Sequence, residues 1–217
     1  MKRTNVYIDG YNLFYGLLKG TVWKWLDLLA FAKALLRDDH EIQAVKYFTS
    51  RVKHSPAKPQ MAIHQQKYLE ALGTIPLIQI IEGYYNRFRV KMPFAKDPCK
   101  SCDKTDGYAI VWKNEEKRSD VNLATAMLVD AFRDAADSFV LISGDSDLAG
   151  PLDVIRHEFG KQTLVFNPHD GGKDELKFYS TYYKHIPRDL PAKCQLPYEI
   201  EVGTHGRIIR CPETWRT

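Results

Sequence analysis

The chain has no apolar run approaching the roughly 18 residues that a membrane-spanning helix needs. Its first residues, MKRTNVYIDG, pass into a strand pattern with no secretory apolar stretch, so a cytoplasmic protein with no membrane partner is expected. The patterns of several enzyme classes are missing too. There is no H-E-x-x-H among the seven histidines, no G-x-S-x-G, no P-loop and no G-x-G-x-x-G. Nucleophilic hydrolases, NTPases and Rossmann dehydrogenases therefore find no support. Cysteine is scarce. Four in 217 residues, Cys99, Cys102, Cys194 and Cys211, argue against a disulfide framework, and only the pair in CKSC has ligand-like spacing. A dominant charge is lacking as well: 31 basic and 27 acidic residues leave +4, too mild to demand a nucleic-acid partner and too mild to repel one. Internal repeats and low-complexity tracts are absent.

What is present is an ordinary globular composition, 44% hydrophobic and 27% charged, in a chain long enough for one sizeable domain. TNVYIDG reads as a buried strand ending at Asp9, with Gly10 permitting a turn, and YNLFYGLL as a short helical segment. WKWLDLLAFAKALL has helical spacing, IQAVKYFTSRV is a strand, and KPQMAIHQQKYLEALGTI is a helix stopped at Gly73. PLIQIIEGYYNRFRV reads as one strand, bent near Gly83. Residues 92–107 form a Pro-, Cys-, Lys- and Asp-rich excursion, and YAIVWKN returns from it. SDVNLATAMLVDAFRDA is a helix with Ser119 or Asp120 at its cap, DSFVLIS a buried strand, and DLAGPLDVIRHEFG a helix closed by Gly160. KQTLVFNP is another buried strand, and DELKFYSTYYKHI a short helix and strand. This alternation predicts an α/β fold: a mainly parallel central sheet in a three-layer α/β/α arrangement, whose ligands collect beyond the carboxyl ends of its strands. Residues 1–186 form the domain, and the Pro-punctuated residues 187–217 a C-terminal extension packed on it.

The stretch VLISGDSDLAGPL, residues 140–152, runs an apolar strand into two carboxylates, Asp145 and Asp147. Taken singly, the acids have plain structural roles. Asp before Gly suits a turn, and Asp120 and Asp147 each suit a helix N-cap worth about 1 kcal/mol. Taken together they differ. In a parallel sheet Asp9, Asp145 and Asp147 share the carboxyl edge, and a helix starting at Asp120 can face it. Carboxylates gathered in one cleft repel, and a hard dication such as Mg²⁺ or Mn²⁺, which chooses carboxylate oxygen, offsets that repulsion. Such a site suits phosphodiester cleavage.

YIDGYNL, EEKRSDVNLA and LISGDSDLAGPLDVIRHEFGK resemble the signature blocks of NYN domains, bacterial relatives of PIN-type ribonucleases. The resemblance covers about residues 4–185, and the tail QLPYEIEVGTHGRIIRCPETW is similar to the ending of one NYN subfamily. It implies a PIN-like fold and a Mg²⁺- or Mn²⁺-dependent nuclease acting on RNA, with Asp9, Asn12, Asp120, Asp145 and Asp147 as site residues and a homodimer as a common state. Many relatives carry an acid where this chain has Ala126, which bears on the number of metals and gives standing to a non-catalytic RNA-binding module. Some similar sequences carry a third label, monooxygenase of small N-heterocycles.

Within the ribonuclease reading, Asp9, Asp120 and Asp145 hold the metal, and Asp147 joins through a water or caps its helix. The Asn12 amide holds the attacking water or a phosphate oxygen, with turn stabilisation as its alternative. Ser143, Lys117 and Arg118 are candidates for phosphate contact, as are Arg51 and Lys53, with His54, after the second strand. Arg87, Arg89 and Lys91, interleaved with Tyr84, Tyr85 and Phe88, suit a single-stranded ligand or simply a half-buried strand. CKSC supplies two ligands of a structural Zn²⁺ site, which Cys194 and Cys211 complete if the tail folds back, with His185 and His205 as spares. Free thiols on a loop are the alternative.

Overall fold

In the computed structural model, residues 1–52, 59–93, 108–171, 174–203 and 206–216 are described. The first strand, β1 (Lys2–Asp9), is buried from Thr4 onward. It runs directly into α1 (Gly10–Leu13), which continues as a wider π-type turn over Phe14–Leu18. Helix α2 (Leu28–Leu35) is shorter than its sequence pattern suggests. The Asp27 carboxylate accepts hydrogen bonds from the backbone N–H groups of Leu29 and Ala30, both at 2.9 Å, and this cap sets where the helix begins. Strand β2 (His40–Thr49) and helix α3 (Gln60–Leu72) follow.

The segment expected as one bent strand is two strands. β3 (Ile78–Glu82) pairs with β2 as far as Thr49↔Glu82, and the Gly83 N–H donates a last bond to the Thr49 carbonyl at 2.7 Å. β2 stops there, so the chain beyond has no neighbour in that sheet. It becomes β4 (Tyr84–Pro93), which pairs antiparallel with β5 (Tyr108–Lys117) in a separate two-stranded arm.

Helix α4 (Ser119–Phe132) starts without the expected cap. Arg118 occupies the cap position with φ 80°, and Ser119 and Asp120 are the first two helical residues. Strand β6 (Ser138–Ile142) is buried at every position, as a parallel strand covered on both faces must be. A tight turn over Ser146–Leu148 leads to α5 (Ala149–His157), then β7 (Gln162–Asn167) and β8 (Tyr182–His185). The tail adds a turn of helix, α6 (Leu190–Lys193), and a hairpin of β9 (Glu199–Val202) with β10 (Arg207–Arg210).

The main sheet has six strands in the order β3-β2-β1-β6-β7-β8, every neighbour pair parallel. The chain steps outward from β1 through β2 and β3, then returns to the other side of β1 and steps outward again from β6. The crevice between the carboxyl ends of β1 and β6 is thus the switch point, where such sheets bind ligands.

Alternation along the strands divides the core. Val6, Ile8, Val45, Val140 and Ile142 face α1, α2, α3 and the tail, whereas Tyr7, Phe48, Phe139 and Leu141 face α4 and α5. The tail belongs to the first layer. Trp25 is fully buried and donates its indole N–H to the Pro197 carbonyl at 2.8 Å, and Trp215 packs on Trp25, Tyr68 and His64. On the second face Asp130 of α4 is fastened to the sheet by Tyr7 Oη and Lys46 Nζ at 2.5 Å each and by Asn5 Nδ2 at 3.2 Å. Among the described residues no helix is long and apolar enough to cross a membrane.

Candidate metal centre

Asp9 is the last residue of β1 and the N-cap of α1. Its Oδ1 accepts from the Asn12 N–H at 2.9 Å and its Oδ2 from the Ser143 hydroxyl at 3.0 Å. The side chain is only 5% exposed. Burial raises its pKa, the hydrogen bonds from Asn12 and Ser143 act the other way, and the nearby Asp145 charge raises it again. Asp145, two residues beyond Ser143, donates its N–H to the Ser143 oxygen at 3.1 Å and accepts from the Asp147 N–H at 3.1 Å. It therefore caps the turn that leads into α5. Asp120 enters from the first turn of α4 and is exposed.

These three acids come from three elements, and one carboxylate oxygen of each lies within 4.8 Å of the others. At that separation Asp9 and Asp145, both ionised, repel by roughly 3 kcal/mol at an effective dielectric near 20, and less where water screens them, as at Asp120. The donor set is oxygen only, which suits a hard divalent cation.

The surrounding residues hold this geometry. Asn12 Oδ1 accepts the Gly144 N–H at 2.8 Å, tying the loop after β1 to the loop after β6. A side chain at Gly144 would run into Asn167, itself held by Tyr183 Oη at 2.8 Å and the His169 N–H at 2.9 Å. At Gly10 a Cβ would lie 2.6 Å from the Phe48 carbonyl. The sequence shows Gly10 as a turn former but not its packing role, and it gives no sign of the roles of Gly144 and Asn167. The tight contacts of both glycines come from strands far away in the chain.

The other expected site residues sit as follows. Asp147 is exposed and outside the three-acid group, and the capping carboxylate is that of Asp145. Ser143 is fully buried, its hydroxyl donating to Asp9 and accepting from the Asp145 N–H, which leaves none of it open to a phosphate in this structure. The Asn12 side-chain carbonyl is taken by the Gly144 N–H, and its backbone N–H closes the turn onto Asp9. Arg51 forks onto Glu82 with two 2.7 Å bonds, and Lys117 pairs with Glu115 at 3.4 Å. Lys53, His54, Cys99, Cys102 and His205 lie outside the described residues. Of the other expected zinc ligands, Cys194 and Cys211 are buried in the core, and burial raises both thiols, disfavouring the thiolate that binds metal. His185 is engaged at both ring nitrogens, by the His169 carbonyl at 2.7 Å and by Asp174 at 3.2 Å.

The NYN domain family matches residues 3–186. The chain belongs to the NYN family. NYN domains are nuclease-like relatives of PIN domains, and this one carries an aspartate cluster at its sheet edge. The NYN chain is 36% identical, over 98% of its length and 75% of the other's, to 6-hydroxy-3-succinoylpyridine 3-monooxygenase HspA of Pseudomonas putida (strain DSM 28022 / S16). Its fold is similar to that of a crystallised protein of unknown function, VPA0982 from Vibrio parahaemolyticus RIMD 2210633. That likeness has a TM-score of 0.55 and 15% identity, and covers 90% of this chain and 96% of that one.

Proposed function

We propose that this NYN domain is a ribonuclease dependent on Mg²⁺ or Mn²⁺, an endonuclease hydrolysing phosphodiester bonds. The supporting observation is the convergence of Asp9, Asp120 and Asp145 on one point at the switch of a parallel sheet. When bound there, the ion would neutralise charge on the scissile phosphate and make a water more acidic. The chain's own residues set the frame. Ser143 and the Asn12 N–H orient the two oxygens of Asp9, and the Asn12–Gly144 bond keeps Asp145 facing it. Asp147, exposed two residues beyond Asp145, would orient water, and Arg118, two residues before Asp120, would meet the RNA backbone.

The test is cleavage of single-stranded and structured RNA with Mn²⁺, Mg²⁺ or EDTA. Asp145→Asn should lower the rate at least about 10²-fold, as losing one electrostatic group at a reacting centre does, without changing the far-ultraviolet circular dichroism. Equal cleavage by this variant, free of contaminating nuclease, would overturn the reading.

A second reading, hydroxylation of a pyridine ring, is supported by the 36% identity to a protein named as a monooxygenase. Against it, the first βα turn reads Asp9-Gly10-Tyr11-Asn12, where a dinucleotide pyrophosphate would meet a buried carboxylate in place of a glycine cradle. Oxygen uptake with 6-hydroxy-3-succinoylpyridine and a reduced nicotinamide, lost on removing bound flavin, would favour it over the nuclease.

A further inference from the structure

Among the described residues the arm of β4 and β5 is hydrogen-bonded to no other strand, and its last residue, Lys117, stands three positions before Asp120. An isolated two-stranded ribbon is marginal in water, so its exposed side chains call for an explanation. The register supplies one. Opposed residues share a face, and the pairs Arg89↔Trp112, Lys91↔Ile110 and Pro93↔Tyr108, with Arg87, put three cations on the same face as Trp112, Ile110 and Tyr108. The Arg87 guanidinium lies 4.7 Å from the Trp112 ring centre and the Lys91 ammonium 4.8 Å from that of Tyr108. Trp112 is 58% exposed and Tyr108 49%.

The opposite face differs. It carries Phe88, Val90 and Val111, and there Glu115 is paired with Lys113 and Lys117. Among the described residues no carboxylate pairs with Arg87, Arg89 or Lys91, and Arg87 Nε is buried without an acceptor. Cations alternating with open aromatic rings match a ligand of repeating phosphates and flat bases.

We infer that this basic-aromatic face binds single-stranded RNA, stacking bases on Trp112 and Tyr108 and pairing phosphates with Arg87, Arg89 and Lys91, and leads the strand to the aspartate cluster at the arm's root. The inference rests on the ribonuclease reading for its ligand. It revises the sequence expectation about aromatics in part: Tyr84 and Phe88 lie on the other face, Tyr85 shares the cations' face by register, and Trp112 and Tyr108, which the Arg87 and Lys91 cations approach, come from β5.

Fluorescence anisotropy of a labelled single-stranded RNA oligonucleotide in EDTA separates binding from cleavage. Trp112→Ala should weaken binding roughly ten-fold, as expected for one lost stacked base, and Trp112→Phe should restore most of it. Arg89→Ala and Lys91→Ala should each weaken binding several-fold and reduce the log–log salt slope by about 0.7. Lys113→Ala, on the opposite face, should stay within two-fold of wild type. Unchanged melting temperatures establish that the arm variants fold. Arm variants that bind like wild type, a wild type that binds no RNA, or variants that dissociate a dimer while retaining RNA all overturn the inference. The last outcome would make the arm an interface between protein copies. Arm-dependent binding without cleavage in Mn²⁺ would sink the nuclease reading alone. Cleavage with an unchanged KM in the arm variants would sink the arm alone.

Discussion

Asp9 pays for its position in the metal-free protein: burial disfavours its charge, so its pKa in the folded state lies above that in the unfolded chain. A carboxyl group shifted upward contributes stability that is complete below the unfolded value and is lost as pH rises through the folded value. Asp134 and Asp137 act in the opposite sense, because bonds from Lys161 and Arg3 lower them, and their contribution is lost as pH falls. Asp9→Asn should therefore raise the melting temperature of the metal-free protein near neutral pH. It should also abolish stabilisation by Mn²⁺, which in wild type at about 100 times Kd amounts to about 2.7 kcal/mol, or roughly 5–10 °C. Scanning calorimetry with and without EDTA reads both effects. A wild-type Mn²⁺ shift surviving in Asp9→Asn would remove Asp9 from the ligand set.

Between elements, what matters is how the loop after β6 is clamped. Gly144 has room for no side chain beside Asn167, and its N–H is held by Asn12. Gly144→Ala should push the loop outward and displace Asp145. A shift of about 1 Å at a reacting centre costs on the order of 10²-fold in rate. The expected signature is cleavage lost by about that factor with the sheet's circular dichroism retained, and a partial rescue by Asn167→Ala, which opens the space. No rescue would show that the loop's own backbone, not the Asn167 contact, carries the constraint. Arg51 belongs to this scale too. Its fork on Glu82 joins the ends of β2 and β3, so it works as a tie between strands.

For the molecule as a whole, two fastenings hold the layers together. The tail covers Trp25 and Tyr68 on one side, and the Asp130 network ties α4 to β1 and β2 on the other. Lys46→Ala would leave the Asp130 carboxylate largely buried without its cation, at a cost of about 3–5 kcal/mol. Urea denaturation should show the midpoint falling with the slope unchanged, and cleavage by the folded fraction should persist because Lys46 is bonded to Asp130, which is not one of the three acids. A loss below about 1 kcal/mol would mean that Tyr7 and Asn5 satisfy the carboxylate by themselves.

The sequence by itself determined the alternating elements, the parallel sheet and the acids at its carboxyl edge. Those features follow from local signals: period-two and period-3.6 apolar patterns, and an aspartate beside a glycine at a strand's end. Tertiary structure alone decided which acids meet. The pattern could not separate Asp145 from Asp147, two residues apart, because only the direction of the turn after β6 aims one inward and leaves the other in water. Nor could it show Ser143 turned onto Asp9, Arg51 occupied by Glu82, or Trp112 beside Arg87. Each of those contacts depends on strand register and chain reversal, which join residues from 25 to 134 positions apart, beyond the reach of any local pattern.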